Sequence, residues 1–384
     1  MGLVLLGSCV AVAQGIVLLG WPGAHTLLID LQVYRAGGEH VLTGSPLYVG
    51  GVLLDLPFVY PPFAAVLFAP LALLPLGLLK LAWTAAGVGL LAYVVHRCVP
   101  RAGMPVVLLV AVLATALDPV RTTLYLGQIN IVLLALVVGD LLGRGRWRGV
   151  GVGLAAAVKL TPLVFVVYLL VTGRWRAAGA ALATFVAAAA VGFLAAPADS
   201  TQFWFGGTFL AADRISDVAG PSNHSLFGLF GRWGVVGPVS WIVVAVLGVA
   251  TLVLAVRVHR AGQELLAVTL CGLASAGLAP FAWSHHYVWV VPLAVLLGVR
   301  AVAGDRWASV GLVGALAATV AVVTALPGPA VGPIPATGLI SLWPDAYLLL
   351  FLVVLVAGVV HGNGARSGAT QPARAGEPAS VVER

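Results

Sequence analysis

The sequence predicts an all-α integral membrane protein, a polytopic bundle of about a dozen transmembrane helices with further helices lying along the membrane surface. Three observations predict it. Hydrophobic residues make up 61% of the 384 positions and charged residues 9%, at a mean hydropathy of +1.08, which leaves too little polar surface to clothe a soluble globule. The apolar runs are continuous rather than alternating; that excludes a transmembrane barrel, and lipid, which offers no hydrogen bonds, then demands helices. Arginines recur in small groups between those runs, where they set topology under the positive-inside rule. This scatter also argues against nucleic acid as the partner behind the net charge of +7.

The first apolar run, 3–21, lacks a basic start and contains Ala11-Val12-Ala13. It reads as a first transmembrane helix, with a cleaved signal peptide as the alternative. Either delivers Asp30 to the non-cytoplasmic side. Further spans are predicted at 75–97, 104–117, 129–143, 177–196, 239–256, 264–282, 287–300, 307–326 and 346–361. Their cytoplasmic ends are marked by Arg97 with Arg101, by Arg144, Arg146 and Arg148, by Arg174 with Arg176, by Arg257 with Arg260, and by Arg300 with Arg306. Two stretches break the parity if counted as ordinary spans. Segment 60–74 opens on Tyr60-Pro61-Pro62 and is short, so it is expected to be a juxtamembrane or re-entrant helix. Segment 149–172 is basic at both ends and interrupted by Lys159-Leu160-Thr161-Pro162, which predicts two short tilted helices meeting at a break. Residues 1–361 form one membrane domain on this reading, and 362–384, rich in Gly, Ala, Arg and Pro, a disordered cytoplasmic tail. No internal repeat emerges. Cys9, Cys98 and Cys271 lack metal-like spacing and read as packing residues, without a disulfide framework or zinc site.

This parity puts loops 22–59, 118–128, 197–238, 283–286 and 327–345, with the 159–162 break, outside the cytoplasm. Most of the chain's polar chemistry therefore converges on one face. Asp30 follows the first apolar run, where partial hydration raises a carboxylate's pKa and suits a general base; pairing with Arg35 at a helix end is the alternative. Lys159 sits in an apolar stretch and needs an anion, either a ligand phosphate or a protein carboxylate. Arg121, Gln128 and Asn130 add a cation and two amides at a helix mouth, with interfacial snorkelling and helix capping as the plainer readings. His285 and His286 suit hydrogen bonding to a sugar or phosphate, or an interfacial role beside Trp283, Tyr287 and Trp289. Adjacent histidines are expected to point apart, so no shared metal is expected. Asn223 and His224 lie in the long loop with Phe203, Trp204, Phe205 and Trp233, a composition fit for sugar recognition or for membrane anchoring. Gly151 and Gly153 read as helix-packing residues, Asp140 as structural, and Asp199, Asp213, Asp217 and Asp345 as solvated loop charges.

The order of these pieces resembles the GT-C glycosyltransferases, specifically the polyprenol-phosphate-mannose-dependent mannosyltransferases of glycosyltransferase family 87 found in actinobacteria. Carrying the resemblance are Asp30 with Tyr34 and Gly37, Pro46-Leu47-Tyr48, Tyr60-Pro61-Pro62-Phe63, Gly127-Gln128-Ile129-Asn130, Lys159-Leu160-Thr161-Pro162 with Arg174-Trp175-Arg176, Asn223-His224-Ser225 and His285-His286. It implies a GT-C-like bundle in the cell membrane with an extracytoplasmic active site and no cofactor or metal. The implied reaction takes mannose from a β-linked polyprenyl phosphate sugar donor to a hydroxyl of a glycolipid or polysaccharide acceptor, inverting the anomeric carbon. Asp30 would be the catalytic base, Lys159 and Arg121 would bind the donor phosphate, and Tyr60, Arg35, Gln128, Asn130, Asn223, His224, His285 and His286 would line the sugar and acceptor sites. The chain departs from the pattern at Asn223-His224-Ser225, where Asn-Gln-Ser is expected, and at Asp55, a rival base. A secondary transporter or lipid-carrier flippase, and a non-catalytic assembly subunit, are the alternatives from other classes; a transporter would place its ionisable groups at mid-depth and use repeated halves.

Overall fold

A computed structural model describes residues 28–143, 145–211, 217–235, 237–324 and 344–367. The first predicted span with Cys9, Arg144, Asp213, most of the 327–345 loop and the tail beyond 367 lie outside the described residues. Sixteen α-helices are found among those described. Each predicted span within them coincides with a helix, though ends differ by several residues.

The chain opens with α1 (Ile29–Thr43) and α2 (Pro62–Ala72), which pack on each other, α2 starting at the Pro61-Pro62 pair that favours a first helical turn. A long apolar helix, α3 (Leu76–Cys98), follows. The predicted span 104–117 and the loop after it form α4 (Met104–Ala114) and α5 (Asp118–Leu126), bent by 79° at the break. Leu117 is extended and Pro119 sits in the first turn of α5, so the chain restarts a helix where a loop was expected. Gly127, in the left-handed conformation, then turns into α6 (Asn130–Leu141). Segment 149–172 is two short helices as predicted, α7 (Val150–Val158) and α8 (Leu163–Val171), separated by the 159–162 break. The second half comprises α9 (Trp175–Ala195), α10 (Pro197–Phe205), α11 (Leu226–Arg232), α12 (Pro238–Arg260), α13 (Glu264–Gly277), α14 (Val290–Val302), α15 (Arg306–Thr324) and α16 (Ala346–Ser367). The last of these runs past 361, where the tail was expected to begin.

By length and composition three helices, α3, α9 and α12, suffice to cross a membrane, or four spans if the bent α4–α5 pair counts as one; α6, α13, α14 and α16 are shorter apolar helices. The interior is mainly apolar, and α7 lies between α6 and α9. Small residues permit that approach: a Cβ on Gly151 would fall 2.7 Å from the Leu136 carbonyl oxygen, and one on Gly153 would fall 2.2 Å from that of Ala181. Asp140 of α6 locks the arrangement by accepting the Gly149 and Val152 amides at the start of α7. Its structural reading holds. Helices α3 and α6 run side by side in the same direction, with Gly87 near Leu124, Tyr93 against Gly139, and Arg97 donating to the Gly139 carbonyl. The polar N-terminal end of α6 therefore faces one way and the arginine-bearing end the other.

Candidate active site

The turn between α5 and α6 is the centre of the site, and Gly127 makes it possible. Its φ of 71° favours glycine, and a Cβ there would stand 2.8 Å from that of Leu31. On the facing strand of chain, Leu28 is itself left-handed and its amide bonds the Tyr125 carbonyl at 2.9 Å. Together these contacts fix Asp30 in the first turn of α1, opposite Gln128.

Gln128 is the hub. Its amide nitrogen donates to Asp30 Oδ2 at 2.8 Å, and its carbonyl oxygen accepts from Tyr34 at 2.8 Å and from Tyr60 at 3.2 Å. The two tyrosine hydroxyls lie 2.9 Å apart. Burial raises the Asp30 pKa above the ordinary carboxylate value, opposed by the Gln128 hydrogen bond and by the charge of Lys159. Lys159 closes α7 in extended conformation, which turns its side chain out of the helix ladder. Its Nζ donates to Asn130 Oδ1 at 3.2 Å, meets His286 Nε2 at 2.9 Å and lies 5.8 Å from the centre of the Tyr60 ring. Burial, and then the neighbouring Lys159 charge, hold the His286 pKa well below its usual value, so a neutral His286 accepts a hydrogen bond from the lysine at Nε2. Asn130 in turn donates to the His285 carbonyl at 3.0 Å.

Asp30 and Lys159 feel one another without forming an ion pair; the four among the described residues involve other side chains. Of its three N–H donors the lysine commits one to Asn130 and one to His286, so about one remains for an incoming anion. Beside it a cavity is lined by Asn130, Lys159, Thr161, Ser275, His286 and Trp289. Lys159 thus stands in the cavity wall, and Asp30, a partly desolvated carboxylate held by Gln128, lies near enough to feel its charge.

The structure brings Asp30, Tyr60, Gln128, Asn130, Lys159 and His286 together and places the other predicted residues elsewhere. Arg35 donates to the Ala72 carbonyl at 3.0 Å, so it pairs neither with Asp30 nor with the pocket. Arg121 is in an ion pair with buried Asp118 at 3.1 Å, and Asp118 also accepts from Tyr347 at 2.8 Å. Asn223 spends its side chain on Val218, Pro280, Ser225 and Ala282, and His224 bonds the Pro344 carbonyl at 2.5 Å; they pin the long loop to the chain before the histidine pair. Neither Gln128 nor Asn130 caps a helix. The histidines do not point apart, because a 3₁₀ turn (Ser284–Tyr287) sets their rings 4.8 Å from each other at 87°, with His285 stacked on Trp283. Asp345 is not a solvated charge either: it is 2% exposed and ion-paired with Arg232, as burial of a carboxylate demands. Asp199 likewise accepts the Leu47 amide at 2.8 Å. Asp55 occupies an exposed turn, and none of the described hydrogen bonds of the Asp30 network reaches it. Tyr34 is the residue that sequence reasoning left out of the site; its spacing of four from Asp30 puts both on one face of α1, and that was the available signal.

Comparison with known proteins gives a consistent picture. The sequence model of glycosyltransferase family 87 matches residues 58–281. The chain is 36% identical, over 77% of its length and 76% of the relative's, to a polyprenol-phosphate-mannose-dependent alpha-(1-2)-phosphatidylinositol mannoside mannosyltransferase of Mycobacterium tuberculosis. It is 34% identical to the protein of the same description from Mycolicibacterium smegmatis, over 75% of this chain and 74% of that one. A phosphatidylinositol pentamannoside mannosyltransferase of the latter organism is 35% identical over 70% of this chain and 69% of its own. No solved structure matches.

Proposed function

Because the chain belongs to glycosyltransferase family 87, we propose that it carries mannose from a polyprenyl phosphomannose to a hydroxyl of a mannosylated glycolipid, on the extracytoplasmic face and with inversion. It is a polyprenol-phosphate-mannose-dependent mannosyltransferase, and the transporter and assembly-subunit alternatives fall away. The face follows from the arginine groups, which gather at the end of the bundle away from Asp30. We extend the bundle to about a dozen spans by adding the shorter apolar helices, α15, the α7–α8 pair and the predicted first span.

One observation carries the mechanism: Asp30 and Lys159 sit in two hydrogen-bond networks that meet at the Tyr60 ring, close enough to influence each other and yet not neutralised by an ion pair. Asp30 Oδ1, free of hydrogen bonds among the described residues, takes the proton of the acceptor hydroxyl as its oxygen attacks the anomeric carbon. The bond from that carbon to the phosphate oxygen breaks, and its electron pair stays on the polyprenyl phosphate. The remaining N–H of Lys159 meets that growing charge, while Asn130 and His286 hold the ammonium in place. Since the attack comes from the face opposite the leaving group, a β-linked donor yields an α-linked product.

The test is transfer from labelled polyprenyl phosphomannose to a phosphatidylinositol mannoside by the purified protein. Asp30→Asn keeps the hydrogen bond partner of Gln128 and should lower the rate by about 10²–10⁴-fold, the usual worth of a general base. Undiminished transfer by that variant would remove Asp30 from the role.

A further inference from the structure

At the end of the bundle away from Asp30, α3 and α6 part around a groove of about 400 Å³ that no step of the transfer uses. Leu90, Tyr93, Val132, Ala135 and Leu136 line it, and Trp147 and Arg148 stand at its mouth. Along α6 (Asn130–Leu141) the lining runs from Val132 to Asp140. At 1.5 Å per residue that is about 12 Å, somewhat less than half of the roughly 30 Å of hydrocarbon in a bilayer. The groove covers most of the depth of one leaflet.

Its polar end is positive and unbalanced. Among the described residues Arg97, Arg146 and Arg148 take part in no ion pair. Asp140, the acid in the lining, accepts the amides of Gly149 and Val152 and keeps its negative charge, which offsets one of the three arginines and leaves the other two in surplus. Arg97 donates to the Gly139 carbonyl and Arg148 to those of Leu141 and Gly143, while the Nε atoms of both are buried without a partner. Arg146 lies exposed with its guanidinium 5.4 Å from the ring centre of Trp147, which is itself 70% exposed, an arrangement suited to the headgroup layer. An apolar slot most of a leaflet deep, ending on a surplus of arginines, is complementary to a lipid with an acyl chain and an anionic head.

We propose that this groove is a binding site for an anionic glycerophospholipid, one acyl chain lying between α3 and α6 and the phosphate facing Arg146 and Arg148. It is separate from the donor site, because the polyprenyl phosphate is met at Lys159, at the other end of α6. The site accounts for an opening that a membrane bundle would otherwise fill with its own side chains, and it ties the α6–α7 turn to the lipid around it.

Photolabelling tests it. The full-length protein in detergent is irradiated with a phosphatidylglycerol carrying a diazirine in its acyl chain, and the adducts are mapped by peptide mass. Adducts are expected at 90–93 and 132–139, displaced by unlabelled phosphatidylglycerol but not by phosphatidylcholine. The exposed Arg146→Gln should need about fivefold more phosphatidylglycerol for the same displacement, the worth of one basic residue at an anionic surface. Leu90→Trp, which fills the slot, should remove the adducts on α6 while mannosyl transfer persists. Equal displacement by phosphatidylcholine would reduce the groove to an unselective lipid contact and overturn the proposal. So would stronger displacement by polyprenyl phosphate, or labelling confined to other helices.

Discussion

Asp30 is poised between two influences, and the balance is measurable. Burial favours its neutral form, whereas the amide of Gln128 and the positive Lys159 favour the carboxylate, with burial the larger effect. A base must be ionised to act, so kcat/KM is expected to fall on the acid side with a midpoint above the ordinary carboxylate value. Gln128→Leu removes a bond that stabilises the ionised form. The sign follows: the Asp30 pKa rises further, the acid limb moves to higher pH, and activity lost near neutrality returns as the pH is raised. A pH–rate profile checks this, since a purely architectural role for Gln128 would depress activity equally at every pH. The residues of this network were readable in the sequence because each is a polar group with no business in an apolar run, Lys159 above all. Arg121, Asn223 and His224 carried the same signal and answer to other partners: Asp118 and through it Tyr347, Pro280 and Ala282, and Pro344. Those partners lie mostly far along the chain, and local spacing holds no record of them.

At the scale of elements, the break between α7 and α8 decides the site, because only an interrupted helix releases Lys159 from the ladder at the depth of Gln128. Helix α7 is held at its other end by the Asp140 carboxylate, which accepts Gly149 N at 2.7 Å and Val152 N at 2.9 Å. Asp140→Ala leaves those amides without their partner and is expected to cost about 1–2 kcal/mol, the range of a strong N-terminal cap. It should lower the midpoint of thermal unfolding in detergent and leave the pH profile of transfer in place, since the residue stands at the far end of α7 from the lysine. Apolar runs and arginine groups announced the helices, and Pro162 with Lys159 announced the break. The 79° bend between α4 and α5 was hidden, because Leu113 to Leu117 is as apolar as a continuing span and the turn depends on Pro119 beginning a new helix. The helices within the long loops were hidden for the opposite reason, their amphipathic surfaces being too short to show a period.

For the whole molecule, the arrangement of charge gives the bundle a direction in the membrane. The turn holding Leu54 and the end of α10 holding Phe205 lie on the side of α1 and α2, whereas Trp147 and Trp175 stand among the arginines; all four are well exposed, at 79%, 80%, 70% and 67%. Helix α9 relates the two ends, since its first turns adjoin Gly149 and its Gly192 adjoins Phe63. Single cysteines at these four positions, in a protein whose Cys9, Cys98 and Cys271 have been replaced by serine or alanine, report which side each faces. In intact cells a membrane-impermeant maleimide is expected to label the cysteines at 54 and 205, and to reach those at 147 and 175 only once the membrane is opened. The reverse pattern would place Asp30 on the cytoplasmic face and would break the link between the arginine groups and topology, even if transfer in detergent were unaffected. Labelling of all four in intact cells would mean that the bundle does not separate two compartments. A positive result ties chemistry to place, because the proposed base for the acceptor and the proposed ammonium for the donor phosphate then open only to the side on which a lipid-linked sugar must already have been delivered.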